Sequence, residues 1–434
     1  MNIIDDVVKN LSNNPVFRMS LASKELFHSN VLAWLLESCD SDDKLLSEIA
    51  KALAELFMPK QNSENGYKVL TVLREKSHFD LIIVFLPKDD YDSINNEDLL
   101  EIKDLFLNYK QPSNIQLLKQ LRNDFRFAVV ENKFKSIPNK EQLEKYNDTI
   151  KNEICFIDVK EPQEDKKRRK TLFPIVLNEG NTTRYLMTPK LVLDNFAELL
   201  ECPELLECPW LPLPYEKIWN VLQSKIDDPA KGFTATFIKH YADFLENMLK
   251  LTTDIEGKLS STDNPAAFPD WQDISKLKKI RIHDFYEKLW FSVLLNRIEI
   301  TNEDKIYKKA PGYTHALGLL DFKIEGPNHV WYGIQIQNRQ LRIVVEPEWG
   351  YTWQGKCPET QIIKYCEDIL NRMNPQQSCP KQKNLCSFKD FKYKYITLES
   401  DISIKDLASK INKALTAIQE STLIEFDSTP TKQQ

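Results

Sequence analysis

An apolar run that ends in charged residues constrains the fold of this chain more than any other stretch. Residues 127–130, Phe-Ala-Val-Val, are typical of a strand buried in a sheet, and Glu131 and Lys133 follow directly. Side chains alternate between the two faces of a strand, so Glu131 and Lys133 point to one face and Asn132 to the other. Charged side chains rarely enter a buried strand unless they are paired, metal-bound or catalytic. The stretch therefore predicts a buried ionic site on a sheet.

The segment after this strand predicts a turn at 136–139 and then a helix. The helical repeat places Gln142 and Tyr146 on one face, next to the end of the strand. Two other interpretations stay open for these residues. Asn139 and Gln142 have the spacing of a capping box, in which Gln142 would bond to the backbone only. Tyr146 would alternatively belong to the apolar core.

An acidic residue upstream has the position expected of a partner for Glu131. The sequence predicts two strands, at 72–75 and 81–86, and Asp80 directly precedes the second. A lone Asp before a strand is usually a turn residue. If this strand pairs with the Glu131 strand, at a spacing of about 4.8 Å, the two carboxylates converge on one ion. Mg²⁺ prefers such oxygen ligands, and Lys133 on the same face would serve the attacking water or the transition state.

A helix predicted at 24–38 carries a polar facet on an otherwise apolar surface. Glu25, His28 and Ser29 fall at positions i, i+3 and i+4. One interpretation is structural: Glu25 complements the helix dipole in the first turn, and His28 is a partly buried polar residue. The other is that Glu25 and His28 line the ionic site.

The pattern of an acid, any residue and a lysine recurs in the chain and is not specific by itself. Glu101 and Lys103 form the example nearest to Asp80. Their flanks have helical periodicity, so the two side chains would diverge on a helix. Glu131 and Lys133 alone stand in an apolar, strand-like run. For that pair the competing interpretation is a solvent-facing ion pair on an edge strand.

Together these residues resemble the PD-(D/E)xK nuclease superfamily. The upstream segments FHSNVLAWLL and REKSHFDLII are similar to a prokaryotic branch of it that is linked to phage defence. The resemblance implies that Asp80 and Glu131 bind metal, that Lys133 is the catalytic lysine, and that Glu25 and Gln142 support the site. It departs from the family pattern in a Phe at position 79, where the motif has Pro, and in a long insertion before Glu131.

The resemblance implies a hydrolase that cleaves phosphodiester bonds of nucleic acid, with DNA favoured, in prokaryotic defence or genome maintenance. The implied cofactor is Mg²⁺, with Mn²⁺ as a substitute. The alternative is a catalytically retired nuclease fold that binds nucleic acid or another protein.

The order of predicted elements indicates an α/β fold with a mixed central β-sheet flanked by helices, followed by a C-terminal α+β domain. We predict a nuclease-like domain at 1–251 with an insertion at about 88–124, and a further strand at 153–160. A polar linker at 252–275, a second domain at 276–426 and a flexible tail at 427–434 follow. The C-terminal domain is the expected surface for a protein partner or a second copy of the chain.

The second domain contains a faint repetition of the first pattern. Asp321 lies in a predicted strand, and Gln335 and Gln337 lie two positions apart in the next. One hypothesis is a degenerate copy of the nuclease core that has lost its metal chemistry. The other is an ordinary α+β domain with polar strand residues facing solvent.

Charge and composition exclude some classes of protein. A formal net charge of −6 argues against a strongly basic protein that coats nucleic acid, although the basic run at 166–170 would suit phosphate binding. No apolar stretch approaches the roughly 18 residues of a membrane helix. Eight cysteines in a chain without an apparent signal peptide suggest reduced thiols, so we expect a cytoplasmic protein.

Overall fold

The computed structural model describes most of the chain, with the catalytic-type segment inside the described part. The described residues are 2–20, 24–58, 66–76, 79–107, 125–134, 142–147, 150, 182–195, 210–226, 231–260, 264–301, 306, 308–313, 318–348, 351–353, 358–373, 385–388, 391–421 and 428–430. Several predicted features lie outside them: the turn at 136–139, the strand at 153–160 and the basic run at 166–170.

The chain forms two compact units. One comprises residues 6–250, and the other comprises residues 1–5 together with 251–434. The residues predicted as a linker, 252–275, are helical over most of their described length, because one helix continues to Ser260 and another begins at Trp271. That expectation of an extended linker is wrong for these residues. The assignment of domains stays a prediction.

The N-terminal part combines nine labelled helices of the described chain with a five-stranded sheet. The helices are α1 (Ile3–Asn13), α2 (Pro15–Ser20), α3 (Lys24–Leu36), α4 (Lys44–Phe57), α5 (Lys88–Ser93), α6 (Asn96–Leu107), α7 (Lys190–Asn195), α8 (Tyr215–Lys225) and α9 (Phe233–Ser260). Residues 142–147 are also helical. The strands are β1 (Tyr67–Lys76), β2 (Phe79–Pro87), β3 (Arg126–Asn132), β4 (Thr182–Thr188) and β5 (Leu211–Pro214).

The five strands form a mixed sheet in the order β1-β2-β3-β4-β5, as the sequence predicted. β1, β2 and β3 are antiparallel, whereas β4 and β5 run parallel to β3. The long insertion therefore does not separate the Asp80 strand from the Glu131 strand. A parallel step needs a crossover connection, and the crossover from β3 to β4 carries the short helix at 142–147. The central position of β3 excludes the alternative of an edge strand.

Apolar side chains cover both faces of this sheet. α3 packs against β1, β2 and α4. A core cluster on the face of Ile82 and Val129 also contains Phe106 from α6 and Leu143 from the 142–147 helix. β2 and β3 are buried on both faces, which explains why their sequences are continuous apolar runs rather than alternating ones. Polar side chains in these two strands are thus confined to their ends.

The C-terminal part contains a second, all-antiparallel sheet, which agrees with the predicted α+β class. Its helices are α10 (Trp271–Lys279), α11 (His283–Arg297), α12 (Glu359–Met373) and α13 (Ile404–Glu420). Its strands are β6 (Lys308–Tyr313), β7 (Gly318–Glu325), β8 (Val330–Gln337), β9 (Gln340–Pro347), β11 (Cys386–Phe388) and β12 (Phe391–Thr397), in the order β11-β12-β9-β8-β7-β6. β10 (Tyr351–Trp353) and β13 (Ser428–Pro430) form a separate pair.

Three features of the structure differ from the sequence-based expectations. β4 was not predicted, and β5 lies at the end of a segment expected to be a loop. The tail expected to be flexible contains β13, which pairs with β10 through its backbone. These strands are short or polar, and their pairing with distant segments leaves little trace in the local sequence. None of the helices in the described part of the chain combines the length and the apolar character that a membrane span requires.

Candidate active site

The ends of β2 and β3 bring Asp80 and Glu131 together. In the antiparallel register Leu81 lies opposite Val130, so Asp80 and Glu131 are the next facing residues. Asp80 alternates with Ile82 on β2, and Glu131 alternates with Val129 on β3, which places both carboxylates on the face of the sheet that carries the 142–147 helix. The strand pairing that the sequence required for a shared site is present.

Pairing with β4 holds Lys133 on the same face. The Lys133 backbone N–H donates to the Met187 carbonyl at 2.8 Å, and the Thr188 hydroxyl donates to the Lys133 carbonyl at 2.9 Å. These bonds extend the strand geometry one residue beyond β3. The Lys133 ammonium therefore reaches the Glu131 carboxylate, with 2.5 Å between Nζ and Oε1.

The Glu131 carboxylate is held on one oxygen and open on the other. Its Oε1 accepts hydrogen bonds from Lys133 and from the Gln142 side-chain amide, the latter at 3.2 Å. The same Gln142 amide donates to the Tyr146 hydroxyl at 2.6 Å. Oε2 of Glu131 is buried and has no hydrogen-bond partner among the described residues. A buried carboxylate oxygen without a donor is costly, so this atom has an unused capacity to bind a cation or a donor.

Burial makes both carboxyl groups weak acids. Removal from water raises the pKa of Glu131 to about 8, and the nearby Asp80 adds to this effect while Lys133 opposes it. Burial likewise raises the pKa of Asp80 to about 6, against the opposing Asn132 N–H and Lys133 charge. Perturbed carboxyl groups of this kind, close together, are typical of functional sites.

Lys133 stays a cation in this environment. Burial by itself would lower the Lys133 pKa, but the carboxylates of Glu131, Glu25 and Asp80 outweigh that effect, and the pKa is raised. The side chains of Lys133 and Glu131 are only 9% and 3% exposed. The ion pair is therefore buried, which excludes the solvent-facing pair considered as the alternative.

Asn132 locks the motif to three other elements. Its side-chain amide donates to the Glu25 carbonyl at 3.2 Å and to the Ser29 hydroxyl at 3.1 Å. Its side-chain carbonyl accepts from the Tyr215 hydroxyl at 2.7 Å, and its backbone N–H donates to Asp80 Oδ2 at 2.7 Å. Every one of these groups is a fixed partner of a buried residue. Asn132 thus positions the two charged residues that flank it.

The polar facet of α3 divides between structural and site-facing roles. His28 is fully buried, its Nδ1 lies 3.1 Å from the Tyr241 hydroxyl, and its ring stacks near Phe134. It belongs to an aromatic core, as the structural interpretation of His28 proposed. Glu25 is half-buried, and its charge contributes to the raised pKa of Asp80 and Glu131. Glu25 therefore lies near the carboxylates.

The structure brings the predicted residues Glu25, Asp80, Glu131, Lys133 and Gln142 into one neighbourhood. The rival pair, Glu101 and Lys103, lies in helix α6 as its periodicity predicted. Sequence reasoning missed the roles of Asn132, Ser29 and Tyr215. A usable signal existed, because a polar residue buried between Glu131 and Lys133 must find a partner, and Ser29 lies on the polar facet of α3.

Comparison with known proteins agrees with this geometry. Residues 16–243, more than half of the chain, match the PD-(D/E)XK nuclease superfamily. The chain belongs to the PD-(D/E)XK nuclease superfamily. No curated protein and no solved structure matches it. The match spans α2 to α9 and includes all five candidate site residues, so this superfamily member carries its motif on the expected sheet.

Members of the superfamily typically use divalent metal ions, and the residues present fit such an ion. Asp80 and Glu131 supply hard carboxylate oxygens, one of which, Oε2 of Glu131, is buried and lacks a partner in the described structure. Among the described residues no group of three or more His, Cys, Asp or Glu side chains could hold a metal. Backbone carbonyls and water would therefore complete the ligand set, as is usual for Mg²⁺.

The corresponding residues of the C-terminal sheet form a closed hydrogen-bond network instead. Asp321 lies opposite Gln335 and accepts its amide at 3.1 Å, and Arg342 donates to both Gln335, at 2.9 Å, and Gln337. β9 follows β8 as an antiparallel hairpin, whereas β4 runs parallel to β3. The topology therefore contradicts a copy of the nuclease core and favours an ordinary α+β domain.

Proposed function

We propose that this chain is a metal-dependent nuclease that hydrolyses phosphodiester bonds of nucleic acid, with DNA as the favoured substrate. The observation that carries the proposal is the buried Glu131–Lys133 pair beside Asp80, with one Glu131 oxygen left without a partner. Membership of the nuclease superfamily supports it. The setting we propose, prokaryotic defence or genome maintenance, follows the resemblance of α3 and β1 to one branch of that superfamily.

Each site residue has a distinct role in this proposal. Asp80 and Glu131 would hold Mg²⁺ or Mn²⁺, which when bound supplies Lewis-acid stabilisation of the phosphate charge. Lys133 has a raised pKa and is protonated at neutral pH, so it orients the attacking water and stabilises negative charge rather than abstracting a proton. Gln142 fixes the rotamer of Glu131 through its 3.2 Å hydrogen bond. Glu25 supports the site from α3.

Cleavage assays with matched variants test this function. Plasmid, linear and single-stranded substrates are incubated with Mg²⁺ or Mn²⁺ and with wild type, Lys133→Ala or Glu131→Ala. Loss of one preorganised charge costs about 10²–10³-fold in rate, and we expect at least that loss in both variants. Glu101→Ala and Lys103→Ala, which alter the rival motif on α6, should retain full activity. Circular dichroism checks the folding of every variant.

A non-catalytic binding module is the second candidate, and the low exposure of Glu131 and Lys133 favours it. The same assay separates the two. Cleavage by wild type that persists in Glu131→Ala and Lys133→Ala would refute the proposed site. Absence of cleavage by wild type on every substrate, together with no heat of Mg²⁺ binding in calorimetry, would favour the binding module.

A further inference from the structure

A large cavity lies within the unit of residues 251–434 and plays no part in the proposed nuclease chemistry. Its volume is about 1000 Å³, which suits a ligand of nucleotide size. The segment before α10, the first turns of α10, one face of α11 and the β8–β9 turn line it. This cavity is called the Glu287 cavity below.

Fixed apolar side chains form most of its wall. Phe268, Trp290 and Phe291 are buried and contribute to the lining. The Trp290 indole N–H donates to the Ala267 carbonyl at 2.8 Å, and the Ala267 N–H donates to the Ile402 carbonyl at 2.8 Å. The aromatic wall is therefore held by the backbone around it. Preformed aromatic walls of this kind suit planar ligands.

One carboxylate in this apolar wall has no donor. Oε2 of Glu287 is buried and has no hydrogen-bond partner in the part of the chain that the structure describes. Lys258 also lines the cavity, but its ammonium pairs with Asp254 at 2.8 Å and Asp273 at 2.7 Å. Burial raises the pKa of Glu287 to about 7, with Asp284 adding to the effect. The Glu287 oxygen therefore lacks a donor that a ligand can supply.

Two exposed residues at the lining add recognition chemistry. Trp271 is 74% exposed at the start of α10, an unusual position for so large an apolar surface. Arg339 is exposed in the β8–β9 turn, where the strain of the preceding residue, Asn338 with φ of 54°, fixes the turn. The cavity thus offers a stacking surface, a guanidinium and a buried acceptor.

We propose that the Glu287 cavity binds a guanine nucleotide. Guanine presents two adjacent N–H donors, which a carboxylate accepts as a pair, and its ring stacks on Trp271. The phosphate of the nucleotide takes Arg339 as its partner. An organic cation would satisfy Glu287 but would meet the positive charge of Arg339. The inference is independent of the nuclease proposal, because it uses residues of the other unit only.

Calorimetric titration of the full chain with nucleoside monophosphates tests the inference. The titrations use GMP, AMP, CMP, UMP, guanosine and benzylamine, in EDTA so that divalent ions contribute nothing. GMP is expected to bind at least tenfold more tightly than the other three monophosphates. Guanosine is expected to bind more weakly than GMP. Binding of benzylamine in preference to GMP, or no detectable GMP binding at millimolar concentration, would overturn the assignment.

Four variants locate the binding. Glu287→Gln replaces an acceptor with a donor and is expected to weaken GMP about 10–100-fold, the discrimination typical of a bidentate base contact. Trp271→Ala, at an exposed position that folding does not need, is expected to weaken GMP and guanosine alike. Arg339→Ala is expected to weaken GMP but not guanosine. Asp284→Asn, one turn away on α11 and outside the lining, is the matched control. Equal GMP affinity in Glu287→Gln and Asp284→Asn would refute the site.

Discussion

Glu131 and Asp80 are acids that folding weakens. Their pKa values rise from ordinary values of 4.5 and 3.8 to about 8 and about 6, chiefly because burial disfavours the charged form. Between these limits the folded chain retains protons that the unfolded chain has released. The contribution to stability is fully present below about pH 4 and is lost as pH rises through 6 and 8.

We therefore predict that, without metal ions, the free energy of unfolding decreases between pH 5 and pH 8.5. Glu131→Gln removes the larger of the two titrations, so this variant should lose less stability over the range and should exceed wild type at pH 8.5. Urea denaturation in EDTA at several pH values measures it. Glu101→Gln, an exposed acid on α6, should keep the wild-type slope. A Glu131→Gln slope equal to that of wild type would contradict the prediction.

Asn132 shows how a neutral residue organises charged ones. Asn132→Ala removes three side-chain hydrogen bonds and leaves the Tyr215 hydroxyl buried without its acceptor. We expect a loss of about 2–3 kcal/mol in the free energy of unfolding, since an orphaned buried group costs about 1–3 kcal/mol. Tyr215→Phe removes a single bond and should cost less. Denaturation curves check both values.

The positioning role of Asn132 needs a second readout. If Asn132 only stabilises the fold, folded Asn132→Ala at low temperature should cleave nucleic acid at the wild-type rate. If it positions Glu131 and Lys133, the turnover rate should fall about tenfold or more while substrate binding is retained. Tyr215→Phe, which keeps Asn132 in place, should show the smaller effect on turnover.

At the scale of elements, two glycines distinguish a strand interior from a helix surface. A Cβ on Gly333 in β8 would lie 2.2 Å from the Phe322 carbonyl oxygen of β7, whereas a Cβ on Gly257 in α9 would meet nothing within 4 Å. Gly333→Ala should therefore destabilise the chain by about 1–3 kcal/mol through overpacking. Gly257→Ala should stabilise it by about 0.5–1 kcal/mol, because glycine is costly inside a helix. Thermal denaturation of both variants measures the difference in sign.

Most elements were predictable where their periodicity was long and regular. The predicted helix at 283–297 matches α11, and the predicted helix at 359–373 matches α12. β4 was missed because Thr182–Thr188 contains polar residues and an arginine that only its parallel neighbours justify. The helix at Phe233–Ser260 runs beyond its predicted end, since the polar residues after 251 form its solvent side rather than a linker.

At the scale of the whole molecule, the acidic net charge and the two compact units bear on ligand binding. A net charge of −6 gives nucleic acid little general attraction to the chain, so the interaction must be local. A divalent ion bound at Asp80 and Glu131 would stabilise the folded state by about 2.7 kcal/mol at a concentration of 100 times its dissociation constant. That effect should be confined to the unit that contains the site.

Hydrogen–deuterium exchange with and without Mg²⁺ checks this expectation. Slower exchange on adding Mg²⁺ is predicted for β2, β3 and β4, while β7, β8 and β9 should exchange at unchanged rates. Asp80→Asn should abolish the difference. Protection that appears in β7 to β9 instead would place the metal in the other unit.

The sequence by itself determined the class of the fold and the chemical types in the candidate site. Apolar runs that end in Asp80 or Glu131 define two buried strands, and strand alternation puts Lys133 beside Glu131, because both are local consequences of the backbone repeat. Only the tertiary structure decided that β2 pairs with β3 across the insertion, that Asn132 meets α3 and Tyr215, and that Glu287 is buried without a donor. These depend on contacts between residues distant in the chain, which local periodicity does not encode.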